Sequence, residues 1–91
     1  MTYMSTAATS IPAPSTEWEA VNLAGAHWRD AQGRGRSFGA ARPGFGIRHI
    51  ATGHFASSDG EHPATWTRKA DATVHAQYPS PKFTLVPVVF P

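Results

Sequence analysis

Apolar positions in the first third of the chain recur at helical spacing. Trp18, Val21, Gly25 and Trp28 fall at i, i+3, i+7 and i+10, flanked by Ala20, Ala24 and Ala31, which is one stripe of a 3.6-residue period. Thr16-Glu17-Trp18-Glu19 has the spacing of a capping box, in which the Thr hydroxyl and the Glu carboxylate each satisfy the other residue's backbone N–H. Two glutamates at the start suit the positive end of a helix dipole, and Gly33 suits its stop. The pattern predicts an amphipathic helix over 17–32, in a segment beginning at residue 15. Gly25 inside the stripe costs ~1 kcal/mol relative to Ala and suggests close approach of another backbone.

In the second half the period shortens to two. Phe45–Phe55 is β-permissive, Ser57–Glu61 contains the turn dipeptide Asp59-Gly60, and Ala64–Arg68 and Ala72–Tyr78 alternate. Lys82–Val86 reads as a further strand, and Pro87 and Pro91 bracket Val88-Val89-Phe90, which restricts that tail to an edge. These segments predict a small antiparallel β meander over 47–91, covered by the Trp18/Trp28 helix. Residues 1–14 read as an extended arm anchored by Tyr3, Met4 and Ile11, and residues 33–46, with five glycines and Pro43, as an irregular connector. The expected fold is therefore small α+β or largely irregular, one domain at most, with extended termini.

Composition makes that fold a lean one. Of 91 residues 15 are alanine, and Leu, Ile, Val and Phe together also number 15, below the roughly 20% of large aliphatic and Phe residues at which self-sufficient cores become common. With no cysteine, disulfides and thiolate metal sites are excluded. No window approaches the ~18 apolar residues of a membrane span, and the first sixteen residues carry neither Lys or Arg nor an apolar h-region, so neither a signal peptide nor a membrane span is expected. Localisation stays open. A core this poor predicts dependence on a partner for order.

Charge then singles out one stretch. Arg29–Arg48 holds five of the six arginines (Arg29, Arg34, Arg36, Arg42, Arg48), five of the eight glycines and one acid, Asp30, for a local charge of +4, while the whole chain carries only +2. Arginine beside glycine suits an anionic partner, because guanidinium makes bidentate contacts and glycine lets the backbone follow an irregular surface. Phe38 and Phe45 could stack on unpaired bases, so nucleic acid is one candidate and an acidic protein surface the other. No complete nucleic-acid motif accompanies the arginines. Gly33–Gly39 lacks the spacing and the Gly-Lys-Ser/Thr ending of a phosphate loop.

Five histidines raise metal binding. His49, His54 and His62 are the candidates, with Asp59 or Glu61 as carboxylate ligand, although their intervals match no closed metal pattern. His54, Ser57 and Asp59 include the three triad types but crowd into six residues, which disfavours a nucleophile–base–orienter arrangement. Trp18, Trp28, Trp66, Phe83 and Phe90 are the anchors, either of the core or of an interface. The sequence thus points to a non-enzymatic structural or interaction protein without a cofactor, a small accessory or decoration-type subunit of a larger assembly such as a virion or an organellar complex. The alternative is a nucleic-acid-binding protein using the Arg/Gly segment as a phosphate clamp.

Overall fold

A computed structural model of the chain describes residues 13–39 and 44–90. Among the described residues it is mostly strand: β1 (Trp18–Asn22), β2 (His27–Arg29), β3 (Gly35–Ser37), β4 (Phe45–His49), β5 (Phe55–Ser57) and β6 (Thr84–Val86), with one helix, α1 (Lys69–Gln77), between β5 and β6. A four-stranded antiparallel sheet has the order β1-β4-β5-β6, and β2 and β3 form a separate hairpin.

The helix expected over 17–32 is absent, and that segment is instead β1, a turn and β2. The Thr16–Glu19 spacing is not used as a cap. Ser15 Oγ accepts the Glu17 N–H at 3.2 Å, and Glu19 turns its carboxylate across the sheet to Arg48. Asn22 Oδ1 accepts the Ala24 N–H at 2.9 Å, an Asx turn, and Gly25 follows at φ +76°, outside any helix interior. Trp18 and Val21 favour strands by their bulk at or near Cβ, and their segment finds a five-residue partner in β4, from Trp18 opposite His49 to Asn22 opposite Phe45. The 3.6-residue coincidence loses to that ladder.

The opposite correction applies to Ala72–Tyr78. Its alternation predicts a strand, yet it forms the body of α1, with Tyr78 at the C-cap and Val74 and Tyr78 exposed. Alanine is the best helix former; Ala72 and Ala76, four apart, lie one above the other on the buried face, and their small side chains bring the helix close to the sheet. Asp71 in the first turn and His75 in the last suit the helix dipole. The segment 33–46 is not an irregular connector, since it contains β3 and the start of β4. The expected N-terminal arm up to residue 12, Arg42 and Pro91 lie outside the described residues.

The sheet is covered on both sides. On one, Ile47 and Ala56 meet Ala72 and Ala76 of α1, with Trp18, Ala20, Phe45, Trp66 and Phe83 around them. On the other, Leu23, Ala26, Phe55 and Val86 form a second cluster, joined by Val21, Phe38, Val88 and Phe90. The Trp18/Trp28 segment is thus not a helical cover. The cover on one face is α1, and on the other it is the hairpin and the C-terminal segment. A Cβ on Gly46 would stand 2.8 Å from Leu23 Cδ1 and 3.3 Å from the Ala64 carbonyl, so the fully buried Leu23 packs over β4 only because residue 46 has no side chain.

Two substitutions test this packing. Gly46→Ala should displace Leu23 and cost about 1–3 kcal/mol through overpacking, and Phe55→Ala should cost about 3–5 kcal/mol through the cavity it leaves. Urea unfolding followed by tryptophan fluorescence measures both, and an unchanged midpoint for Gly46→Ala would refute the close approach.

Candidate anion-binding groove

The basic segment is organised by its one acid. Asp30 follows β2, and its side chain is 1% exposed. Its Oδ1 accepts the N–H groups of Gln32 (3.0 Å) and Arg34 (2.9 Å), its Oδ2 accepts Arg36 Nε (3.1 Å), and its own carbonyl accepts the Gly33 N–H. Gly33, at φ +79°, supplies the left-handed residue that the turn requires. A carboxylate buried inside its own turn converts a flexible, repulsive stretch into a fixed hairpin. The Arg34 amide first, then the Arg36 side chain and the Gln32 amide, hold Asp30 below the usual carboxylate range against the opposing effect of desolvation.

Strand register sorts the hairpin's side chains by face. His27 opposes Ser37, Trp28 opposes Arg36 and Arg29 opposes Gly35. Trp28 points inward, with its ring 4.7 Å from Phe38, and its Nε1 is buried without a partner among the described residues. The C-terminal segment adds a third strip: the N–H groups of His27 and Val89 each donate to the other's carbonyl at 2.8 Å. Continuing that antiparallel register places Pro87 opposite Arg29. The outer face therefore carries two rows, Ser37–His27–Val89 and Gly35–Arg29–Pro87. These residues, with Trp28 and Arg36, line an open groove of about 480 Å³. Val89 is 64% exposed, so the groove combines an apolar wall with cationic and hydroxyl groups.

The five arginines singled out by the sequence divide. Arg29, Arg34 and Arg36 share the hairpin, although Arg36 is committed to Asp30 and Arg29 Nη1 donates to the Gly33 carbonyl at 2.8 Å. Arg48 is elsewhere, on the four-stranded sheet, donating to Glu19 Oε2 from Nη2 (2.6 Å) and Nε (3.0 Å). Sequence reasoning missed His27, Ser37, Pro87 and Val89, whose only signal is register across segments about sixty residues apart.

The histidine grouping also changes. His49 and His54 sit at the base of the β4–β5 turn, where His49 Nδ1 and the His54 N–H both meet Thr52 Oγ1. His62 instead joins Asp59 and Glu61, whose potential ligand atoms lie within 4.8 Å of one another. That cluster is already employed: Asp59 Oδ1 accepts the N–H groups of Glu61 and His62 and approaches Ser57 Oγ, and Oδ2 is 3.1 Å from His62 Nδ1. The His62 amide, followed by the Glu61 amide and the His62 ring, holds Asp59 well below the usual range. Ser57 is fully buried, its hydroxyl 2.6 Å from the His62 carbonyl, while its oxygen accepts the Gly60 N–H. Ser57 and Asp59 thus close a turn, and His54 takes no part in it.

Trp18 pairs edge-on with His49, Trp66 stacks on His75 at 4.6 Å and meets Phe83 edge-on, and Phe90 lies 5.8 Å from Phe55. Each of these anchors makes contacts within the chain, and Trp18, Trp66, Phe83 and Phe90 are half-buried. Among the described residues no helix is long and apolar enough to cross a membrane.

Acid should loosen both turns. Asp30 and Asp59 have depressed folded pKa values, whereas an unfolded Asp titrates near ~3.9. Their stabilisation is complete above roughly pH 5 and is lost as pH falls through about 4 and below. Thermal melts from pH 7 to pH 3 should show this fall, and Asp30→Asn should melt lower at neutral pH and lose less on acidification. No family model, curated protein or solved structure matches the chain, so its groove is read from its own chemistry.

Proposed function

We propose that this chain is a non-enzymatic interaction protein, a small subunit that docks onto the acidic surface of a larger protein assembly through the hairpin groove. The observation carrying this reading is the two-row face, in which Arg29, His27 and Ser37 lie beside exposed Val89 and Pro87. A mixed cationic and apolar wall suits a protein surface better than a phosphate backbone. Phe38 is packed on Trp28, and Phe45 is bridged to Trp66 on the far side of the sheet, which leaves neither as a free platform for a base. The phosphate-clamp alternative therefore retains its charge and loses its stacking.

Anisotropy titrations of labelled polyglutamate and of single-stranded oligonucleotide test the choice. Polyglutamate should bind more tightly, and Arg29→Ala should weaken it by about two- to fivefold, since an exposed ion pair contributes about 0.2–1 kcal/mol. Raising salt should weaken binding further. Equal or tighter binding of the oligonucleotide would favour the nucleic-acid alternative.

A further inference from the structure

β3 has one side in use and one side open. The bonds from Phe38 N–H to the Ala26 carbonyl and from Asp30 N–H to the Arg34 carbonyl fix the even-numbered residues as those bonded across the hairpin. Gly35 and Ser37 therefore direct their N–H and C=O groups away from β2. All three β3 residues are exposed, and among the described residues no strand pairs with that side. A short exposed edge of this kind is a template for another chain.

We propose that the open edge of β3 accepts an extended acidic segment of the partner protein as an added strand, with a carboxylate side chain of that segment beside Gly35 and ion-paired to Arg29. This inference rests on the reading of the chain as an interaction subunit. The backbone groups of Gly35 and Ser37, two residues apart, match the two-residue repeat of an extended peptide. Side chains of the incoming strand opposite Gly35 and Ser37 would enter the groove face. Gly35 leaves a gap there, since a Cβ built on it meets nothing within 4 Å. Arg29 is the β2 residue opposite Gly35, on the same groove face, and its Nη1 donates at 2.8 Å to the carbonyl of Gly33 in the turn just before β3. Its remaining N–H groups are donors for a carboxylate. The hairpin's own net charge of +2, from Arg29, Arg34 and Arg36 against Asp30, selects an acidic strand over a basic one.

The test uses the full chain and a labelled peptide of about ten residues alternating Glu and Val, by fluorescence anisotropy. The same peptide with every backbone N–H methylated, and a Lys–Val counterpart, serve as controls. The Glu–Val peptide should bind saturably, the methylated form about tenfold more weakly or worse, and the Lys–Val form not at all. Ser37→Pro removes an outward N–H that no hairpin bond uses, so it should keep the melting temperature and lose the binding. Arg29-dependent binding that survives both methylation and Ser37→Pro would overturn strand addition while leaving an acidic partner in place. Absence of Glu–Val binding, or equal binding of Lys–Val, would overturn both.

Discussion

The pairing of β1 with β4 is the constraint on which the rest of the molecule depends. Its five residue pairs fix the central sheet and, through it, both covers. Glu19 and Arg48 face each other across it in a half-exposed ion pair worth at most about 1 kcal/mol, so the ladder is held chiefly by its backbone bonds and by what it buries. Gly46 opposite Val21 is its critical position, because its missing side chain admits Leu23 to the inner cluster. Were that space closed, Leu23, Ala26 and Phe55 would lose their common contact.

A chain with so few large apolar residues covers a two-sided sheet economically. Alanines at 72 and 76 let a nine-residue helix lie close on one face. On the other, the β2–β3 hairpin and residues 87–90 supply Phe38, Val88 and Phe90 inward while turning His27, Arg29 and Val89 outward. The groove is thus a by-product of strand alternation. The same hairpin that seals the core presents charge to a partner, and the buried carboxylate of Asp30 permits both by neutralising the turn from within.

Much of the local chemistry was legible in the residues. Asp59-Gly60 does form a turn, with Gly60 at φ +80°, and strand character between 45 and 55 is present, broken by a turn closing at Gly53. Such features depend on side-chain-to-backbone bonds within three or four residues. The face to which each arginine belongs was not legible. Arg29 and Arg48 looked equivalent by charge, yet one lines the groove and the other spans β1 and β4, a division set by register between distant strands.

By itself the sequence determined where the positive charge concentrates, that these residues include no cysteine, and where tight turns interrupt the chain. Tertiary structure alone decided that 18–29 is two strands and 69–77 a helix, reversing the periodicity of both segments. The reason is energetic: helix and strand propensities differ by tenths of a kcal/mol per residue, whereas a matched ladder and a buried face contribute several. Trp18 became a strand residue because β4 was there to receive it, and Ala72 a helical one because Ile47 left room for a small side chain.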